Sequence, residues 1–384
     1  MIARALGFIT RSGPISQQDR WEENTGINTF TLSICIAALV EGAAWLEPKA
    51  RDFALALADY WNAHIEDWTA VHDTALARRI GVHGYYMRNA PTEREKNPRA
   101  LLDVLPIKNR RHDPALIAEE QVGVDCLQLV RFGLRRADDP LILDSIRVID
   151  ALLKVETPHG VSWHRYNGDG YGEHQDGAPF DGIGRGRAWP LLTGERGHYE
   201  LAAGNDPLPY LEAMAAMSGA GGMLPEQVWD SAAIPTRGLY PGRPSGSAMP
   251  LVWAHAEFIK LLISTQLGRP YDRPPATWIR YQGKAPAIHR AIWLPQSPTQ
   301  QISPGQSLLV GMYEPGTIHW GIDGWQATQD TATQDTGLGL HVAELDTKTL
   351  LSGQRIEFTF QRGNMGAWLG RDYTIAVVSG ERKS

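Results

Sequence analysis

Gln17-Gln18-Asp19-Arg20-Trp21-Glu22-Glu23-Asn24-Thr25-Gly26 sets two adjacent carboxylates after a tryptophan, ends on a glycine and runs directly into the apolar segment Phe30 to Leu39. A polar run closed by glycine ahead of a continuous apolar segment reads as a loop entering a helix, and loops at helix mouths are where rigid scaffolds carry their chemistry. Beside an indole, one carboxyl can be desolvated enough to keep its proton near neutral pH while its neighbour stays ionised and accepts hydrogen bonds from a polar ligand. Taken alone, the same stretch is equally an N-terminal helix cap with a solvated glutamate pair.

A second acid narrows the choice. Gly221-Gly222-Met223-Leu224-Pro225-Glu226-Gln227-Val228-Trp229-Asp230 again places a glutamate in a Gly/Pro loop, near a tryptophan and ahead of a helical pattern. Carboxylates on opposite sides of a sugar are what glycoside hydrolysis requires. Between the two acids lies Val161-Ser162-Trp163-His164-Arg165-Tyr166-Asn167-Gly168-Asp169-Gly170-Tyr171-Gly172-Glu173-His174, dense in aromatic and hydrogen-bonding groups, which reads as a carbohydrate-binding surface. The glycines of Gly168 to Gly186 follow no strand and precede no Lys-Thr pair, so they fail the context of a phosphate-cradling loop.

These motifs in this order, together with Gly184 to Gly204 carrying Trp189-Pro190-Leu191-Leu192-Thr193-Gly194-Glu195-Arg196-Gly197-His198-Tyr199-Glu200 and with Pro225-Glu226-Gln227-Val228-Trp229, closely resemble bacterial glucoamylases and glucodextranases. That family comprises inverting exo-α-glucosidases on an (α/α)6 toroid, and the resemblance runs from Met1 to roughly Tyr271. It implies that Glu22 is the general acid that protonates the glycosidic oxygen and Glu226 the general base that activates water on the far face. Inversion then needs the two carboxyls roughly 6.5–9.5 Å apart. It further implies that Glu23 hydrogen-bonds sugar hydroxyls near the cleavage point, that Arg165 grips the terminal glucose, and that Trp189 and Trp21 are aromatic parts of the pocket. The expected substrate is starch or malto-oligosaccharides, with α-1,6 dextran and trehalose as alternatives within the family, and the expected product is β-glucose. The chemistry needs no cofactor, and no His/Cys/Asp grouping has metal-ligand spacing.

The resemblance leaves a gap. In the full family pattern an amino-terminal β-sandwich and several helices precede the acid-bearing loop, and an early loop carries an Arg-Asp pair that holds the terminal sugar. Here only the short helical segment Ile2 to Ile9 precedes Ser12-Gly13-Pro14. The expectation is therefore the carboxy-terminal part of a toroid, with room for about seven or eight helices, whose exposed apolar seam invites self-association. A truncated, inactive remnant that at most binds glucan is the alternative to an enzyme.

The helical pattern continues through Phe30 to Leu46, Pro48 to Ile65, Pro114 to Phe132, Pro140 to Val155, Leu191 to Ala203, Pro207 to Gly219 and Pro250 to Leu267. Gly81 to Arg111 is a long excursion of the sort that walls an active site or lies solvated on the surface. From about Asp272 the grammar changes. Ala287 to Leu294, Ser307 to Glu314, Ile318 to Asp323, Leu340 to Leu345, Arg355 to Gln361 and Tyr373 to Val378 are short β-favouring runs, with Gln326 to Gly339 as a polar loop. They predict a small antiparallel β-sandwich over 272–384 after a mainly α part over 1–271. Trp320, Trp325 and Trp368 are candidates for glucan contact on that module or for its core.

With 37 basic against 43 acidic residues among 384, the formal charge of −6 argues against a nucleic-acid footprint. Thr29 to Leu46 is too interrupted by polar residues to span a membrane. Met1 to Thr10 lacks the apolar region and cleavage site of a signal peptide, so the sequence names no compartment; the resemblance implies a periplasmic or secreted parent. Cys35 and Cys126 each sit in apolar helical surroundings and read as buried thiols. Glu195, Arg196, His198 and Glu200 read as ion pairs or caps, and His255 as a satisfied core histidine.

Overall fold

A computed structural model describes residues 1–363 and 366–379. Eleven α-helices are described: α1 Ile2–Ser12, α2 Thr29–Gly42, α3 Pro48–Ala63, α4 Ile65–Thr69, α5 Ala75–Ile80, α6 Leu127–Arg131, α7 Pro140–Leu153, α8 Pro190–Ala202, α9 Leu208–Ala216, α10 Val252–Leu267 and α11 Pro275–Tyr281. Seven of them span nine residues or more. Their boundaries follow local chemistry. Asn28 caps α2 by accepting the Phe30 and Thr31 amides, Asp139 caps α7, and proline stands at the first turn of α3, α7 and α8, where its missing N–H costs nothing. α10 stops at Gly268, whose φ of 67° suits a left-handed cap.

Helix α2 is apolar on all sides, and it is packed on several of them: α1, α3, α6 and α11 all lean on it. α8 likewise lies between α6, α9 and α10. Charged groups tie these helices together inside the core. Arg131 on α6 pairs with Glu257 on α10 at 2.7 Å and with Asp272 at 2.9 Å, and His198 on α8 reaches the same Glu257 at 2.8 Å. The thiols are free, and burial pushes Cys35 up to about 11 and Cys126 up to about 12.

Two short hairpins decorate the helices, β1 Ala70–His72 with β2 Gly84–Tyr86, and β3 Lys154–Thr157 with β4 Gly160–Trp163. The remaining strands, β5 Arg290–Trp293, β6 Gln301–Ile302, β7 Ser307–Met312, β8 Gly316–Ile322, β9 Gln326–Ala332, β10 Gln334–Asp335, β11 His341–Leu345, β12 Arg355–Arg362 and β13 Tyr373–Val377, form two sheets in the orders β10-β11-β7-β5 and β6-β13-β12-β8-β9. Trp293 of one sheet meets Phe358 of the other at 5.1 Å and Tyr373 at 4.7 Å, so the faces share a core as in a sandwich.

Four expectations are corrected. Pro114 to Phe132 is not one helix but a mostly irregular segment with a 3-10 turn at Ala118–Glu120 and α6 as its one α-helix: Val122 donates to the Asn167 side chain at 2.7 Å, and Gly123 bridges Tyr166, so these tertiary contacts override helix propensity. Gln326 to Gly339 is no loop, because β9 pairs with β8 from Gln326 to Ala332. Its polar side chains mark an exposed sheet edge. The sandwich is mixed rather than purely antiparallel, since β5 pairs β7 and β13 pairs β6 in parallel. Finally, α11 extends the helical part beyond Tyr271, because Thr277 bonds Glu41 and Tyr281 bonds Asp59.

The sheets also cover part of the flank that the sequence leaves open. Thr10 donates to the Leu338 carbonyl at 3.1 Å, Gly7 lies directly under Leu338, and Gln296 donates to the Thr10 carbonyl at 3.0 Å. By contrast, Val252, Ile259 and Leu262 on α10 are 78%, 54% and 43% exposed. Trp320 is buried, whereas Trp325 and Trp368 flank His319 at the surface. Among the described residues no helix is long and apolar enough to cross a membrane.

Glu257 is held below its usual value: burial raises it, but Arg131, His198 and Lys260 outweigh that. A depressed carboxylate adds stability above its unfolded value of 4.5, and that stability is lost as pH falls through the folded value. Chemical denaturation across pH 3–7 should therefore show Glu257→Gln with a flatter acid limb than the parent. Glu257→Ala should cost about 3–5 kcal/mol at pH 7, because it removes the more deeply buried of the two carboxylates that compensate the Arg131 guanidinium. Identical acid limbs in parent and Glu257→Gln would show that this pair does not set the acid sensitivity.

Candidate active site

Asp19 organises the acid-bearing loop. Its Oδ1 accepts the Trp21 and Glu23 amides at 3.0 and 3.1 Å, and its Oδ2 takes the Arg88 guanidinium at 2.6 Å. Both side chains of that ion pair are fully buried. The turn Asp19–Glu22 closes with a 3.0 Å backbone bond and puts Glu22 at φ 61°, a conformation that side chains other than glycine adopt at a cost of order 1–3 kcal/mol. Gly26 follows where a Cβ would lie 2.6 Å from the Ala90 carbonyl. The result is an alternation: Trp21 turns inward at 8% exposure, Glu22 turns out into solvent, and Glu23 turns in again. The expectation of a carboxyl desolvated against Trp21 is not met at Glu22, because the indole and the carboxylate point to opposite sides.

Arg20 anchors the loop from its other side. Its guanidinium pairs with Asp125 at 2.7 Å and bidentately with Glu195 of α8 at 2.5 and 3.0 Å. Glu195 and Arg196, read from sequence as ion-pairing residues, are ion-paired but buried. Arg196 holds Asp150 and Glu200. His255 accepts the Leu224 amide at 2.9 Å, steadying the entrance to the Glu226 loop.

Glu23 is the hub. Its Oε1 accepts from Asn109 at 3.0 Å, from Arg165 at 3.2 Å and from the Tyr166 hydroxyl. Asn109 lies near the end of the long excursion 81–111 and brings that part of it against Glu23. Arg165 is clamped bidentately by Asp169 at 2.7 and 2.8 Å. Burial works against its charge, but Asp169 and Glu23 hold its guanidinium firmly protonated. It lies 5.1 Å from the Trp21 ring, 4.8 Å from Tyr171 and 5.7 Å from Trp189. Trp189 is buried behind Trp21 and Tyr171, with ring centroids 5.2 and 6.2 Å away, so it backs the site instead of facing a ligand as its own wall.

Tyr171 links this cluster to the second acid. Its hydroxyl donates to Glu226 Oε2 at 3.2 Å, and its ring meets Phe180 at 5.0 Å. Glu226 is half-buried, and burial raises its carboxyl above the ordinary range, opposed by the Tyr171 hydrogen bond and by Arg165. The desolvated carboxyl is thus Glu226. Its loop is braced by fully buried Arg187, which binds Asp230 at 2.7 Å and the Glu173 and His174 carbonyls, while His164 holds the other oxygen of Asp230. Arg187 and His164 are therefore supports; Asp169 positions Arg165. A cavity of about 580 Å³ opens at Glu226, lined also by Tyr171, Glu173, Phe180, Gln227, Arg237 and Ser247. No group of three or more His, Cys, Asp or Glu residues disposed to hold a metal occurs among the described residues.

Asn109, Tyr166, Tyr171 and Arg88 were not singled out from sequence. Tyr166 and Tyr171 lie inside the aromatic motif and could have been found there. Arg88 and Asn109 carry no local signal.

A family model described as Glycosyl hydrolases family 15 matches residues 1–263. A glucoamylase from Clostridium sp. (strain G0005) is 38% identical over 282 residues, covering 72% of this chain and 37% of that protein. The crystal structure of a bacterial glucoamylase complexed with acarbose matches with a TM-score of 0.66 at 37% identity, over 73% of this chain and 39% of that one. The chain thus spans well under half the length of these relatives. The resemblance drawn from the motifs is borne out, and the helices are a portion of an (α/α)6 toroid.

The strained turn makes one expectation independent of turnover. Glu22→Gly should be more stable than Glu22→Ala by about 1 kcal/mol in equilibrium denaturation, because glycine adopts φ 61° freely and alanine does not. Equal stabilities would mean that the loop carries no strain at this position.

Proposed function

The chain belongs to glycosyl hydrolases family 15, and from that membership we propose that it hydrolyses α-glucans from their non-reducing ends with inversion, releasing β-glucose. The observation that supports this most is the physical junction of the two acid loops: Glu23, Arg165 and Tyr171 form one contiguous contact network that ends on Glu226 at a sugar-sized cavity.

In this reading Glu22, free in solvent on its turn, delivers the proton to the leaving oxygen. Glu226 accepts a proton from water, and its partial burial makes it a stronger base than an exposed carboxylate. Glu23 and Arg165 bind sugar hydroxyls, and Trp21 and Trp189 give the pocket its aromatic backing. Starch and malto-oligosaccharides are the leading substrates, ahead of α-1,6 glucan and trehalose. A second reading, glucan binding without turnover, draws on the 37% share of the relative that the chain matches. The apolar outer face of α10 supports self-association through a second copy.

Maltotetraose and isomaltotriose should each be offered to the purified protein, with the anomer followed by NMR. Release of β-glucose that falls about 1000-fold or more in both Glu22→Gln and Glu226→Gln establishes the mechanism; binding with no release above the variants selects the second reading. Sedimentation velocity should show a concentration-dependent dimer that Ile259→Lys dissociates, and a monomer at all concentrations would end the self-association proposal.

The Tyr171 hydroxyl lowers Glu226. Tyr171→Phe should therefore raise the base further and move the acid limb of the kcat/KM profile to higher pH. An unmoved limb would mean that another group sets it.

A further inference from the structure

Glu173 is the one acid lining the cavity beside Glu226 that the roles above leave without a task. Its place is fixed from behind, since its carbonyl accepts two bonds from the buried Arg187 at 2.8 and 3.2 Å. Its side chain is 5% exposed and lines the same cavity as Glu226. Yet Oε2 is buried and receives no hydrogen bond, and among the described residues no cation pairs with the carboxylate. Its buried neighbours each have a partner: Glu23 takes Arg165 and Tyr166 on Oε1, Asp169 takes Arg165, and Glu226 accepts from Tyr171.

An ionisable group kept dry and unpaired is costly, and such an orphan marks a place where something else completes the bonding. The surroundings restrict what that is. Glu173 and Glu226 do not belong to a wider group disposed to hold a metal. The cavity instead offers ring faces from Tyr171 and Phe180, the Gln227 and Ser247 side chains, and Arg237, a mixture of apolar plates and hydrogen-bonding groups that suits a neutral polyol. Gly246 faces the carboxylate without a side chain, and a Cβ there would stand 3.0 Å from Glu173 Oε1, so the backbone at that point leaves the oxygen free to take a donor.

Resting on the α-glucan reading, we propose that Glu173 is a sugar-binding residue: its carboxylate accepts hydroxyl hydrogen bonds from a glucose unit seated in the cavity against Glu226, and it thereby governs affinity for oligosaccharides. A hydrogen bond to a charged acceptor is among the stronger contacts such a site has, and removal of the charge should be read directly in binding.

Glu22→Gln protein, which lacks the proposed general acid, is titrated with maltotriose by calorimetry, alone and with Glu173→Gln or Gly246→Ala added. Each addition should raise Kd about tenfold with an unchanged near-ultraviolet circular dichroism spectrum. Gly246→Ala should add less than twofold once Glu173 is glutamine, since both act on one oxygen. A Kd within twofold of the parent for folded Glu173→Gln overturns the assignment while leaving the glucan reading intact. Failure of the Glu22→Gln parent itself to bind maltotriose overturns both.

Discussion

The buried pair of Asp19 and Arg88 is the constraint on which the site depends. A carboxylate and a guanidinium that are both fully removed from water are costly unless paired, and here each satisfies the other. Asp19 uses its remaining capacity on two backbone amides, and that is what forces Trp21 and Glu23 to one side of the loop and Glu22 to the other. Arg88 in turn stacks 3.6 Å over Tyr166 and donates to Gln121. The same guanidinium therefore also steadies the aromatic segment that carries Arg165. Loss of either partner would release both loops at once.

The site as a whole is a sequence of alternating charges laid across aromatic faces. Arg165 sits between Glu23 and Asp169, and four rings lie within 6 Å of its guanidinium. Rings and opposite charges together offset the desolvation of a cation. Fixed polar groups of this kind need no rearrangement when a polar ligand arrives, which is the basis of electrostatic preorganisation. Glu226 stands at the edge of this network and not inside it, joined to it by the Tyr171 hydroxyl, half-buried against the cavity where it can exchange a proton with what occupies it.

Much of this was legible in the residues. The loop-into-helix reading of 17–26 holds because Asn28 caps the mostly apolar run that follows. α3, α7 and α10 were visible as three- and four-residue apolar steps, and six strands as short β-branched runs. What failed shares a cause. The segment 114–132 is locally compatible with a helix, but Asn167 takes its amide from a distance. β9 has no apolar face, because its partner β8 supplies the buried one. Asn109 enters the site from a loop whose own sequence is a mixed-charge run. The inward and outward alternation at 21–23 is decided by Asp19 and Arg88, which are 69 residues apart; no window along the chain contains both.

The contact between Thr10 and the Leu338 carbonyl spans 328 positions. A ribosome adding roughly 5–20 residues per second needs on the order of 16–66 s to cover that distance. Through that interval the first helix is outside the exit tunnel with the face meant for Leu338 still wet. The helices can begin to gather as they emerge, but α1 acquires this cover only after β5 to β10 have been made. Synthesis thus imposes a waiting period on this contact, in which α1 is made long before the residue that covers it.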